Sequence, residues 1–166
     1  MLHIQPPAYK TFFIDLPLTR LHILETGQGA PLIMVPATIS ELENWLPLAQ
    51  FMGQWFRVFF FELPGHGQSE AFKDGFSSQR VAELVGQMTD ALGLDRFNLM
   101  GFSFGGILAM RTFKLLSERL QRRGCNRVMF GLAGLPGLRK VLHDSHPSSL
   151  RIFDELALER LSKQEV

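Results

Sequence analysis

At 166 residues, with 46% hydrophobic and 20% charged residues, the chain has the size of one ordinary domain and enough apolar side chains for a buried core. A formal net charge of +1 gives no electrostatic reason to expect nucleic acid or an acidic membrane surface as partner. One cysteine, Cys125, excludes an intramolecular disulfide and any cysteine-rich metal site.

The N-terminal stretch MLHIQPPAYK lacks the uninterrupted apolar core of a signal peptide, and no later run is long enough to span a membrane. A cytoplasmic location is therefore expected. TFFIDLP and TRLHILETG read as two short strands joined by a turn at Pro17, with β-branched and aromatic residues alternating. PLIMVPA is a continuous apolar run, as in a strand covered on both faces. ELENWLPLAQFMGQW has apolar residues at helical spacing, with Pro47 expected near a first turn rather than mid-helix. FRVFFFELPG is a second buried strand, stopped by Pro64 and Gly65. SSQRVAELVGQMTDALGL opens on a serine N-cap and puts Val81, Leu84, Val85, Met88 and Leu92 on one helical face.

FNLMGFS then reads as a strand, FGGILAMRTFKLLSERLQRRG as a helix ending at Gly124, and NRVMFGLAG as a strand. From residue 31 the order is β-α-β-α-β-α-β, which implies a parallel sheet with right-handed crossovers and helices on both faces. Beyond Gly134 the pattern is mixed, as in two helical pieces broken at His146-Pro147. Arg119, Arg122, Arg123 and Arg127 gather at the end of the long helix, where they complement its C-terminus. Most of the fifteen phenylalanines, such as Phe59 to Phe61 and Phe113, read as core. Neither a metal-ligand spacing nor a phosphate-cradling glycine loop appears, and no cofactor is expected.

Gly101-Phe102-Ser103-Phe104-Gly105 fits G-x-S-x-G, between a buried strand and a helix. A sharp strand-to-helix turn forces the central residue into a strained conformation. Glycine is then needed at 101 and 105, where side chains would collide, and Gly106 is expected to give the helix room against the sheet. The Ser103 hydroxyl would project above the sheet, with the Phe104 N–H at the helix N-terminus. On the local pattern alone, a glycine-rich turn with serine as a mere N-cap is as good a reading. Phe102 and Phe104 flank the serine and are candidates to line an apolar acyl pocket.

FELPGHGQS, after the preceding parallel strand, adds a second signal. Together the two stretches resemble the α/β-hydrolase fold family, whose members carry an acidic-Leu-Pro-Gly-His-Gly-x-Ser loop and then G-x-S-x-G. Glu62, Leu63, Pro64, Gly65, His66, Gly67 and Ser69 match that loop, with Glu62 where the family more often has Asp. The region around Trp45 is similar to the family's first crossover helix, and the resemblance covers about residues 9 to 134. It implies an α/β-hydrolase-like, mostly parallel sheet with helices on both faces. It also implies Ser103 as nucleophile, acting through an acyl-enzyme on a small, largely apolar ester, thioester, lactone or amide. The oxyanion would be held by the main-chain N–H groups of Phe104 and Thr38.

Two departures qualify the resemblance. Where the family has His-Gly before the oxyanion donor, this chain has Pro36 and Ala37, so the main-chain donor falls to Thr38. The family also places its acid and its histidine after the nucleophile. After Ser103 the acids are Glu118, Asp144, Asp154, Glu155, Glu159 and Glu165, and the histidines are His143 and His146. Glu118 lies deep in the expected helix, and Asp144 is too close to His146 for two separate loops. His143 and His146 read as polar cap residues, His66 as a backbone-bonded loop residue, and His3 and His22 as ordinary residues of the N-terminal hairpin. The expectation is that residues 1–134 are the N-terminal part of a hydrolase core, cut after its sixth core strand, with 135–166 beginning a helical cap. The strand at 127–134 would leave an apolar edge for a homodimer partner or a further segment to cover. A non-catalytic α/β-hydrolase-like scaffold or interaction module is the alternative.

Overall fold

The computed structural model describes residues 5–38 and 41–122. Its five strands form one mixed sheet in the order β1-β2-β4-β3-β5. β1 (Tyr9–Asp15) and β2 (Arg20–Thr26) make an antiparallel hairpin running from Tyr9↔Thr26 to Asp15↔Arg20. Its turn around Pro17 is closed by the Leu16 N–H donating to the Thr19 carbonyl at 3.0 Å. β2 pairs antiparallel with β4 (Phe56–Phe61), while β3 (Ala30–Val35) lies parallel between β4 and β5 (Asn98–Gly101). The alternation read from the sequence thus gives the parallel part, β4-β3-β5, and the hairpin makes the sheet mixed.

Strand side chains alternate between two covered faces. Ile23, Ile33, Val35, Phe59 and Phe61 pack with α2 (Ser78–Ala91) and α3 (Phe104–Arg122). Leu24, Leu32, Met34, Val58 and Phe60 pack with α1 (Leu42–Met52) on the opposite face. A strand covered on both sides needs apolar residues at consecutive positions, which is why PLIMV and FRVFFF show no alternation. Phe59, Phe60 and Phe61 are fully buried, each contributing roughly 1.5–3 kcal/mol of hydrophobic burial.

α2 begins as expected, with Ser77 Oγ accepting the Arg80 N–H at 3.1 Å and Val81, Leu84, Val85 and Met88 buried. α1 departs from expectation, because Pro47 sits inside it rather than in its first turn. Its ring removes one hydrogen bond to the Glu43 carbonyl, and both residues face solvent, where water can satisfy that carbonyl. The expected strand at 126–134, the dimer or cover expected at its edge, Cys125, and the cap segment 135–166 lie outside the described residues. Among the described residues no helix is long and apolar enough to cross a membrane.

A polar cluster reinforces the pairing of the hairpin with β4. Glu25 on β2 accepts from Arg57 Nε at 2.7 Å and pairs with Lys10 Nζ at 3.1 Å. Burial works to raise the Glu25 pKa, but hydrogen bonds and attraction from Arg57 and Lys10 outweigh it, and the net displacement is downward. A carboxyl lowered in the folded state contributes stability above its unfolded pKa of about 4.3, and loses it as pH falls through the folded value. Both cations are well exposed, which holds the contribution to about 1 kcal/mol. Glu25→Gln should therefore lower unfolding free energy by about that amount at pH 7, and by less at pH 3, where the carboxyl is being protonated in the unfolded chain. Urea melts of both proteins at the two pH values check this.

Candidate active site

β5 ends at Gly101 and α3 begins at Phe104, so two residues make the whole turn. Ser103 takes up the reversal with φ of 52°, and it is the only non-glycine residue at positive φ among the described residues. That left-handed conformation costs a residue with a side chain on the order of 1–3 kcal/mol and has to be held by its surroundings. The holding contacts are backbone against backbone. A Cβ on Gly101 would overlap the carbonyl of Gly105, and a Cβ on Gly105 would overlap the carbonyls of Val35 and Pro36. The Gly105 N–H donates to the Phe102 carbonyl at 2.7 Å and the Gly106 N–H to the Ser103 carbonyl at 2.9 Å, starting the helix at once.

Gly106 corrects the sequence reading. A Cβ there would meet only the Gly101 carbonyl oxygen, at 3.6 Å, which is ordinary contact. The tight approach is made by Gly101 and Gly105, and Gly106 is not required for space.

The turn leaves Ser103 exposed at the C-terminal edge of the parallel strands. Phe104, the first residue of α3, carries an N–H with no intrahelical acceptor, and the first turn of the helix holds no acidic residue to compete for it. β3 ends on the same edge, with Val35 paired to Gly101 and Thr38 exposed three residues later. The two flanking rings part to opposite faces of the sheet. Phe104 packs toward the α2–α3 core and lies 6.2 Å from the ring of Phe76, which is 48% exposed and was not singled out by sequence pattern. Phe102, expected to bind substrate, is half-buried and turns its ring to the other face. Its ring lies 5.5 Å from Trp45, itself stacked at 5.4 Å on Phe60, so it belongs to the α1-side core.

The ELPGHGQS loop reaches the same edge from β4 and carries a buried polar network. Glu62, 2% exposed, accepts from the Gln68 N–H at 2.6 Å, the Leu42 N–H at 3.2 Å and His22 Nδ1 at 3.1 Å. Gly67, at φ 51°, passes so close to this carboxylate that a Cβ would overlap it. His22, 5% exposed, is therefore no ordinary hairpin residue but Glu62's cross-strand partner, a pairing that only the β2–β4 register brings about. The Glu62 N–H donates to the His22 carbonyl, and the His22 N–H to Ser69 Oγ at 2.9 Å. His66 is bonded through its backbone, to Leu63 and Ser69, as expected of a loop residue. Its ring Nδ1 is buried without a hydrogen-bond partner among the described residues.

His22 sits on β2 and Glu62 just past the end of β4, which places the histidine's strand three positions from β5, about 14 Å at the usual spacing. The pair is not placed to relay a proton from Ser103. His143 and His146 lie outside the described residues, as do the acids from Asp144 onward. Among the described residues no group of three or more His, Cys, Asp and Glu side chains is placed to hold a metal ion.

A mixed sheet covered by helices on both faces, a left-handed serine at a strand-to-helix elbow and a glycine-lined acidic loop on the same edge of its parallel strands define an α/β fold of the hydrolase type. A family model described as alpha/beta hydrolase fold matches residues 30–122, and the chain belongs to that family. The (E)-2-((N-methylformamido)methylene)succinate hydrolase of Acinetobacter baylyi is 29% identical over 87 residues, 52% of this chain and 33% of that protein. The N-formylmaleamate deformylase of Pseudomonas putida is 31% identical over 105 residues, 62% of this chain and 39% of that protein. Among solved structures, an N-acyl homoserine lactonase complexed with N-hexanoyl homoserine matches with a TM-score of 0.62 at 25% identity, covering 67% of this chain and 42% of that one. The chain thus spans between a third and about two fifths of the length of these proteins.

The elbow makes a paired prediction. Gly105→Ala should destabilise by more than about 2 kcal/mol, because its methyl meets main chain that cannot move aside. Gly106→Ala should be neutral or stabilising by up to about 1 kcal/mol, since it relieves a helical glycine at no steric cost. Denaturant melts of the two variants check the contrast.

Proposed function

We propose that the protein is a serine hydrolase of α/β type, acting through an acyl-enzyme at Ser103. The observation that carries this reading is the exposed Ser103 at φ 52° between β5 and α3. The close packing of α3 on β3 and β5 demands a left-handed residue at 103, which glycine would supply at less cost, whereas a nucleophile needs a hydroxyl held out from the sheet edge with donors behind it. Ser103 Oγ attacks the substrate carbonyl carbon, the main-chain N–H groups of Phe104 and Thr38 take the developing oxyanion, and collapse expels the leaving group. Water then releases the acid and restores the serine.

The substrate is a small molecule with an ester, thioester, lactone or amide carbonyl and a largely apolar acyl part. The named activities of the deformylase and lactonase relatives support that carbonyl class, and the Phe104–Phe76 rings beside the serine support the apolar part. Acyl transfer through serine needs no cofactor. The acid and histidine that activate Ser103 are not among the described residues. The same reading keeps residues 1–134 as the N-terminal part of the hydrolase core, 135–166 as the start of a cap, and the cytoplasm as location.

A non-catalytic scaffold that retains the elbow is the second reading, favoured by the distance of the one described His–acid pair from β5. Hydrolysis of a short-chain p-nitrophenyl ester separates the two. Turnover that falls at least 100-fold in Ser103→Ala is expected of the hydrolase. Turnover equal in both proteins, or none from folded protein, points to the scaffold.

A further inference from the structure

We propose that His22 and Glu62 are positioning residues for the oxyanion donor at Thr38, an inference that rests on the acyl-transfer reading above. Thr38 lies three residues after the end of β3 and four before Leu42, the first residue of α1. A chain extends at most about 3.5 Å per residue, so the place of Thr38 is bounded by where Val35 and Leu42 are held. The Val35 end is fixed by pairing to Gly101 and by the contact of Val35 and Pro36 carbonyls with Gly105.

The Leu42 end is fixed from outside the helix. Glu41, the N-cap residue, makes no side-chain capping bond. Leu42 is 3% exposed, so its N–H would be buried and unpaired without a partner. Glu62 Oε1 supplies that partner at 3.2 Å and sets a negative charge at the helix N-terminus, where orphan N–H groups and the helix dipole favour it. Glu62 cannot follow a drifting helix, because Oε2 is held by Gln68 N–H at 2.6 Å and His22 Nδ1 at 3.1 Å.

His22 is immobilised in turn. Its ring stacks on Phe13 with centroids 4.7 Å apart, and its N–H is bonded to Ser69 Oγ. A relay of short polar contacts therefore runs from β2 through His22 and Glu62 to Leu42, four residues along the chain from Thr38. Oxyanion hydrogen bonds have their full effect only near 2.7–3.1 Å, so slack at Leu42 weakens transition-state binding while leaving ground-state binding almost untouched.

The test uses the full chain, with p-nitrophenyl butyrate as substrate and amide hydrogen exchange as a second readout. Glu62→Gln keeps the size of the side chain but offers one carbonyl oxygen where the carboxylate accepts three N–H groups. His22→Leu removes the Nδ1 donor, whereas the side-chain amide of His22→Asn places an N–H near the same point. Glu62→Gln and His22→Leu should lower kcat about 10- to 100-fold with KM nearly unchanged, raise exchange at Leu42 and Thr38, and leave the proteins folded at the assay temperature. His22→Asn should recover most of the lost kcat. Lower melting temperatures with kcat unchanged, or a lower kcat with exchange at Leu42 and Thr38 unaltered, would overturn the proposal. Absence of Ser103-dependent turnover in the unsubstituted protein contradicts the acyl-transfer reading instead. The anchor is then decided by exchange alone, and unaltered protection of Leu42 in Glu62→Gln overturns it.

Discussion

The start of α3 stands so close to the ends of β3 and β5 that no Cβ fits at Gly101 or Gly105. That close approach is the constraint on which the site depends. It forces the chain to reverse within two residues, and the reversal puts Ser103 in a left-handed conformation that an unconstrained serine would leave. It also brings the Val35–Pro36 carbonyls against the first turn of the helix, so that the segment bearing Thr38 departs from beside the elbow. Exposure of the serine, orientation of the helix N-terminus and the placing of Val35 and Pro36 beside the elbow thus share one steric cause.

A second element, electrostatic rather than steric, fixes the other side of that connection. Glu62 gathers donors from β2, from its own loop and from α1, with almost no exposure to water. Burying a carboxylate is costly unless its oxygens are satisfied. Three N–H partners and the close turn at Gly67 provide that satisfaction. Steric closure at Gly105 and hydrogen-bond closure at Glu62 bracket the residues from Val35 to Leu42 from opposite ends.

Sequence pattern served best where causes are local. The buried strands show in uninterrupted apolar runs, α2 in its serine cap and one apolar face, and the elbow in its glycines and serine together with the ELPGHGQS loop after β4. It served less well where the outcome depends on partners distant in the chain. Pro47 reads as a first-turn residue, yet it sits further inside α1, where the exposed carbonyl one turn back can bond to water. Phe102 and Phe104 both flank the serine in the sequence, and the elbow sends one to Trp45 and the other toward Phe76. His22 reads as one more hairpin residue because its partner, Glu62, is forty positions away and becomes its neighbour only through the β2–β4 register. The tightness expected at Gly106 is found at Gly101 and Gly105 instead, because it is set by how closely α3 meets the ends of β3 and β5.

Covalent capture tests the nucleophilic role of Ser103 most directly. The protein would be incubated with an alkyl fluorophosphonate, weighed intact by mass spectrometry, and digested to locate the adduct. A nucleophilic Ser103 predicts one adduct per chain, placed on Ser103 and absent after heat unfolding. Folded protein that takes up no phosphonyl group, or takes it up on other residues while Ser103 stays free, would contradict it.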